Sequence, residues 1–259
     1  MKKITIKEIL RRKNKRPITS LSVYSKNLAE IADKYCDIIL VGDSLGMVLH
    51  GMKTTKEVKI DTMILHGKAV KKSTRKSLVI VDMPYKTYSN KKIAYKNARK
   101  VIRETKCDGV KLEGGNKIVQ IIKYLVSKKI PVMGHIGLLP QFSKKFNLKG
   151  KNTMQRKKIL NDAKALSNSG VFAIVIECVV EDLAKKITEQ VSVPTIGIGA
   201  SKYCDGQILV IDDMLGLTNS SPKFVKKYTD LNKVISKSIK KYSEDVKLRK
   251  FPSLRNIYK

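Results

Sequence analysis

The chain has 259 residues, 42% of them hydrophobic, which is enough to bury a sizeable core. No apolar run approaches the length of a membrane span, and the basic N-terminus "MKKITIKEILRRKNKR" lacks the continuous apolar stretch of a secretory signal, so the expected setting is cytoplasmic, without a membrane partner. The net charge of +32 is carried by lysines spread along the whole chain, in "KKSTRKS", "YKNARK", "QRKK" and "VKKY"; with few aromatics among them, a solvated basic surface is expected rather than a specific nucleic-acid face.

The chain opens on a short amphipathic helix, with Thr5 and Glu8 spaced as a capping box. Eight apolar runs then recur: "PITSLSVY" (17–24), "CDIILVGD" (36–43), "SLVIVDMP" (77–84), "GVKLEGG" (109–115), "IPVMGHIG" (130–137), "VFAIVIECV" (171–179), "VPTIGIGA" (193–200) and "QILVIDDM" (207–214). Most are nearly continuous in Val and Ile, the pattern of strands buried on both faces of a helix-covered parallel sheet. Helical patterns separate them. Residues 61–71 and 154–167 read as helices, Ala94, Ala98, Val101 and Ile102 make one apolar stripe, and Ile118, Ile121, Ile122 and Leu125 make another. Residues 142–153, "FSKKFNLKGKNT", read as an irregular loop, and a long Lys-rich helix is expected over 222–246, opened by Pro222. The dinucleotide fingerprint GxGxxG of an open doubly wound sheet is absent. The expectation is therefore a (β/α)8 TIM barrel, a single α/β domain over 1–259. Cys36, Cys107, Cys178 and Cys204 lie far apart with no CxxC pair, as reduced structural thiols do.

In such a barrel the active site sits at the C-terminal ends of the strands. Those ends share a feature here. The second run stops at Asp43-Ser44, the third at Asp82, the fifth at His135 and the sixth at Glu177; the fourth carries Lys111 and Glu113 two apart, hence on one face. Each alone has a structural explanation, as a turn residue, a packed histidine or an ion pair. Together they would repel or desolvate one another unless they bind something. Asp43, Asp82 and Glu113, with no cysteine among them, suit a hard cation such as Mg2+, which binds through few carboxylates and keeps positions open for a substrate's oxygens.

The ordered stretches "LVGDSLGM" (40–47), "VDMPY" (81–85), "VKLEGG" (110–115), "PVMGHIGLLPQ" (131–141), "VIECV" (175–179), "DGQILVIDDMLGL" (205–217) and "PKFVKKY" (222–228) resemble the ketopantoate hydroxymethyltransferase (3-methyl-2-oxobutanoate hydroxymethyltransferase) family over most of the chain. The resemblance implies a (β/α)8 barrel assembled as a homo-oligomer, typically a decamer. It also implies Mg2+, 5,10-methylenetetrahydrofolate as co-substrate, and a 2-oxo acid, 3-methyl-2-oxobutanoate, as the carbon acid. It assigns Asp43, Asp82 and Glu113 to the metal, directly or through water, and Asp43, Ser44, Asp82, Lys111 and His135 to the substrate. Glu177 becomes the proton acceptor of a Mg-stabilised enolate mechanism that leads to ketopantoate (2-dehydropantoate) in pantothenate biosynthesis. Three positions depart from the family pattern. Ser25 follows Tyr24 where an acid is usual, the loop 146–152 reads "FNLKGKN", and Ser201 replaces a glycine, where a positive φ would strain it. Isocitrate-lyase-like Mg2+ barrels share the enolate logic, but they carry a reactive cysteine in a lid loop, and 142–153 has none.

Overall fold

Eight short parallel strands close into a barrel in the computed structural model, which describes residues 2–143, 146–218 and 222–258. They are β1 (Ile18–Ser22), β2 (Ile38–Val41), β3 (Leu78–Asp82), β4 (Gly109–Glu113), β5 (Val132–Gly137), β6 (Ala173–Glu177), β7 (Thr195–Ile198) and β8 (Gly206–Val210), in sequence order around the barrel. The ring is sealed by β8 returning beside β1, with Ile18 opposite Gly206 and Ser22 opposite Val210. This is the (β/α)8 architecture expected from the sequence.

The covering helices are α1 (Ile6–Arg11), α2 (Lys26–Tyr35), α3 (Leu45–Val48), α4 (Ile60–Lys72), α5 (Lys91–Thr105), α6 (Val119–Ser127), α7 (Thr153–Ser167) and α8 (Glu181–Gln190). α1 has the expected capping box: Glu8 N–H donates to Thr5 Oγ1, and the Glu8 carboxylate accepts Thr5 N–H. α5 buries Ala94, Ala98 and Val101, while Ile102 is only partly covered. A 3-10 turn, Gly115–Ile118, precedes α6, so the stripe begun at Ile118 spans two elements. No helix separates β7 from β8.

Period-two alternation fills the barrel. Ile38 and Leu40, Leu78 and Ile80, and Ala173 and Val175 point into one cluster with Ile18, Met133, Phe172, Ile196 and Ile208, joined by Ile4 and Ile9 from the N-terminal segment. Each such aliphatic side chain contributes about 1.5–3 kcal/mol on burial. Buried and half-buried carboxylates pin the strand starts. Asp37 accepts Thr19 N–H (3.0 Å), Asp108 accepts Val79 N–H (2.9 Å) and Asp205 accepts Thr195 N–H (2.8 Å). Asp33, on α2, accepts N–H bonds from Arg75, Lys76 and Ser77, which fixes the chain entering β3.

By contact density the chain divides into two compact units, Met1–Val210 and Ile211–Lys259. The first holds the whole barrel. The second contains α9 (Ile211–Met214) and α10 (Leu231–Lys247). Three expectations are corrected here. The apolar run 207–214 is strand only to Val210, because Asp212 and Asp213 favour the first turn of a helix. The Lys-rich helix starts not at Pro222 but at Leu231, where Asp230 caps it by accepting Lys233 N–H at 3.2 Å. Ser201 is not strained either, since the left-handed φ of that loop falls on Gly199 (+58°). Of the expected loop 142–153, residues 144–145 lie outside the described residues; Lys149 forms a parallel bridge with Val179. No helix among the described residues is long and apolar enough to cross a membrane.

Candidate active site

The inward-facing row that is aliphatic through the barrel turns charged at its C-terminal rim. Leu78 and Ile80 lead to Asp82, Met133 leads to His135, and Ala173 and Val175 lead to Glu177; β4 contributes Lys111 and Glu113. Strand register sets these residues side by side, with Asp82 opposite Lys111 and Glu113 opposite His135. β2 ends at Val41, and the chain turns through Gly42 to Asp43, whose backbone N–H donates to Asp82 Oδ2 at 3.0 Å. Gly42 is required for this approach, because a Cβ there would stand 2.6 Å from Ser22 Oγ.

Lys111 is the hub. Its Nζ lies 3.1 Å from Asp82 Oδ1, 3.9 Å from Glu113 Oε1 and 3.3 Å from His135 Nδ1. His135 Nδ1 is 3.3 Å from the same Glu113 oxygen, and its Nε2 is 3.2 Å from Glu177 Oε2. The sequence-predicted residues therefore form one chain of contacts from Asp43 to Glu177. Ser44 stands beside them with its hydroxyl 2.7 Å from that of Tyr24. Glu177 is the most accessible of the barrel-rim acids and bases, its side chain 13% exposed against 5% or less for Asp82, Lys111, Glu113 and His135. Cys178, directly after it, has φ +48°, a conformation costly for a non-glycine residue, and is held there by bonds from its N–H to Ile198 O (2.9 Å) and from Lys149 N–H to its own carbonyl (2.8 Å). Burial, then the neighbouring Glu177 charge, pushes its thiol up to about 12, which disfavours the thiolate.

The electrostatics are lopsided. Burial, then the charges of Asp82 and Glu113, hold the Asp43 carboxyl well above the usual carboxylate range. Burial also raises Asp82 despite Lys111 beside it. Burial would lower the Lys111 ammonium, but Asp82, Glu113 and Asp43 outweigh it and push it up. Burial and the Lys111 charge oppose a charged His135, yet Glu113 and Glu177 raise it to about 9. Burial disfavours a charged Glu113, but His135 and Lys111 pull it below its ordinary value. Four carboxylates thus face two cationic groups, and Asp82 Oδ1 accepts no hydrogen bond among the described residues.

Those features fit a divalent cation at Asp43 and Asp82. They do not fit a ready-made cage of three protein ligands. Among the described residues no three His, Cys, Asp or Glu side chains close on a common metal position. The reason lies in Glu113, whose Oε1 faces His135 and Lys111 and whose Oε2 accepts Gln141 N–H at 3.2 Å. Two site residues escaped the sequence reading, Gln141 and Tyr88. Gln141 Nε2 donates to Asp43 Oδ2 (2.7 Å) and to Met83 O (3.0 Å), and Tyr88 hydroxyl donates to Gln141 Oε1. Both lie in loops, where no periodicity marks a residue, although "PVMGHIGLLPQ" ends at Gln141.

Comparison with known proteins shows the family and the fold. The family model described as ketopantoate hydroxymethyltransferase matches residues 3–254. The chain is 53% identical over 253 residues to the 3-methyl-2-oxobutanoate hydroxymethyltransferase of Pelagibacter ubique (strain HTCC1062), covering 98% of each chain. It is 49% identical to the protein of the same name from Bartonella tribocorum (strain CIP 105476 / IBS 506), covering 100% of this chain and 97% of that one. Among solved structures, 2,3-dimethylmalate lyase, a PEP mutase/isocitrate lyase superfamily member, superposes with a TM-score of 0.63 at 12% identity, covering 97% of this chain and 87% of that one. Phosphonopyruvate hydrolase in complex with oxalate and Mg++ gives 0.63 at 10% identity, covering 98% and 93%; both show the shared barrel fold. Sequence and relatives meet on one conclusion: the chain belongs to the ketopantoate hydroxymethyltransferase family.

Proposed function

We propose that the protein transfers the one-carbon unit of 5,10-methylenetetrahydrofolate to 3-methyl-2-oxobutanoate, giving 2-dehydropantoate and tetrahydrofolate with uptake of one water, in pantothenate biosynthesis. The observation that carries the reading is the unbroken series of buried contacts from Asp43 through Asp82, Lys111, Glu113 and His135 to the accessible Glu177. A base at one side of the mouth and an anion-stabilising group at the other is the arrangement that enolisation of a 2-oxo acid needs.

Asp43, Asp82 and Glu113 would hold Mg2+, directly or through water; a phosphonopyruvate hydrolase of the same fold is known with oxalate and Mg++. When bound, Mg2+ supplies positive charge to the keto oxygen and carboxylate of the substrate. Glu177 takes the C3 proton. Lys111, kept charged by its carboxylate neighbours, stabilises the negative charge left on the keto oxygen. His135 Nε2 stands 3.2 Å from the Glu177 carboxylate as an ion-pair contact without an aligned hydrogen bond, and its Nδ1 faces Glu113. Ser44, set by Tyr24, offers a hydroxyl to the carboxylate of the keto acid. The nucleophilic C3 carbon then bonds to the one-carbon unit, both C–N bonds that tie this unit to the folate break, and water provides the new hydroxyl, while the C3 proton and one proton of the water pass to the two folate nitrogens.

The protein would act as a homo-oligomer, most simply the family's decamer. No residue of α10 is buried, yet Val234, Ile235, Ile239, Tyr242 and Val246 are exposed apolar residues along it, as expected of a face that a second copy covers. A cytoplasmic setting suits the four unpaired cysteines.

Exchange of the C3 proton of 3-methyl-2-oxobutanoate with deuterated water, followed by NMR, tests the chemistry without the folate. The reading predicts Mg2+-dependent exchange that Glu177→Gln slows by about 10²–10⁴-fold. Exchange unaltered by that substitution would remove Glu177 from the role.

A further inference from the structure

Gln141 sits nearly fully buried at the root of the loop that follows β5, and every polar atom of its side chain is used. The amide orientation is forced by chemistry. Met83 carbonyl can only accept, and Asp43 Oδ2 accepts as a carboxylate, so the nitrogen faces both. The remaining oxygen then meets the Tyr88 hydroxyl, which also lies 3.2 Å from Glu113 carbonyl. From the same residue the backbone N–H donates to Glu113 Oε2. One neutral residue therefore grips two of the three carboxylates. It occupies Asp43 Oδ2 and leaves the other oxygen of that carboxylate, Oδ1, outside the contact.

We infer that Gln141, steadied by Tyr88, is the positioning residue of the cation site: it holds Asp43 by Oδ2 so that Oδ1 can be presented to a divalent cation, and its backbone N–H holds Glu113 by Oε2. The inference rests on the reading of Asp43 and Asp82 as cation ligands. A neutral donor suits the task. It relieves Asp43 of part of its repulsion from Asp82 and Glu113 without adding a positive charge that would compete with the metal. A lysine would neutralise the site, and an apolar residue would leave Met83 carbonyl unpaired and Asp43 free to swing.

The test is Mn2+ binding to the protein alone, by calorimetry or by the spin resonance of free Mn2+, in wild type, Gln141→Leu, Tyr88→Phe and Asp43→Asn. Partners that orient a metal ligand are worth about 10–100-fold in affinity. Gln141→Leu is expected to raise the Mn2+ Kd by about that factor. Tyr88→Phe shifts it the same way by less, and covers the case in which Gln141→Leu does not fold. Saturating Mn2+ should restore most of the lost kcat, a rescue that a merely structural residue would not show. Folded Gln141→Leu with wild-type Mn2+ affinity, or with a kcat that excess Mn2+ does not recover, overturns the inference while Asp43→Asn still abolishes binding. Should Asp43→Asn bind Mn2+ as wild type does, the cation reading itself fails and the inference falls with it.

Discussion

Replacing Lys111 by methionine probes the electrostatic balance of the barrel mouth directly. The substitution keeps the length and volume of the stem and deletes the charge that stands 3.1 Å from Asp82 and 3.9 Å from Glu113. At an effective dielectric of about 20, each of these contacts is worth roughly 4–5 kcal/mol of gross attraction, against which the burial of the ammonium is already charged. Removing one partner of a buried ion pair costs about 3–5 kcal/mol, because the other charge stays behind without compensation. Here the loss has a ceiling set by pH. Asp43 and Asp82 are raised above ordinary carboxylates by burial and their neighbours, and removing Lys111 raises them further. A carboxylate whose folded pKa exceeds its unfolded one binds a proton more readily when folded. Its destabilising effect grows as pH rises above the unfolded value near about 4 and levels off past the folded value. Urea unfolding of Lys111→Met should therefore show a deficit that is small at about pH 5 and widens to about 3–5 kcal/mol at about pH 8. In a chain of this size that corresponds to roughly 6–20 °C in Tm. A deficit below about 1 kcal/mol at every pH would mean that the mouth is solvated like a surface pair, and the picture of an over-anionic buried site would be wrong.

Asp33→Asn tests the opposite sign. Burial opposes the Asp33 charge, but the N–H groups of Ser77, Arg75 and Lys76 outweigh it and hold the carboxyl below its usual value. Its contribution, about 2 kcal/mol, is present above the unfolded pKa and lost as pH falls through the folded one, so the variant should be less stable at neutral pH and converge with wild type in acid. Gly137→Ala should destabilise by about 2 kcal/mol or more, measured by urea unfolding, because φ is +92° and the new Cβ would clash with the Glu177 carbonyl. Ile239→Glu, in the middle of the apolar row of α10, should lower the molar mass seen by light scattering.

The barrel was legible because both of its periodicities are written plainly. Nearly continuous Val and Ile runs marked most strands, and the polar residues ending several runs marked the rim that carries the candidate site. Asp82, His135 and Glu177 all follow inward-facing aliphatics at a spacing of two, which no solvent-facing position would require. Gln141 and Tyr88 were not legible, since a loop residue acquires its role from what the fold brings to it rather than from its neighbours in sequence. Whether each of the three carboxylates would meet a metal directly or through water is also beyond what spacing can tell. Position on a strand puts Glu113 at the mouth, but only the facing His135 and Gln141 decide where its oxygens turn. The misplaced start of α10 has a similar cause. Pro222 is compatible with a first helical turn, yet the cap is made at Asp230.

The central claim is that the carboxylates of this rim bind a divalent cation which the carbon–carbon bond formation needs. Its most direct test is the rate of 2-dehydropantoate formation from 3-methyl-2-oxobutanoate and 5,10-methylenetetrahydrofolate, measured with Mg2+, after chelation, and in Asp82→Ala. The account predicts product from the wild-type protein with Mg2+, loss of turnover on chelation that added Mg2+ restores, and no measurable turnover in Asp82→Ala. Undiminished product after chelation, or from Asp82→Ala, would contradict it.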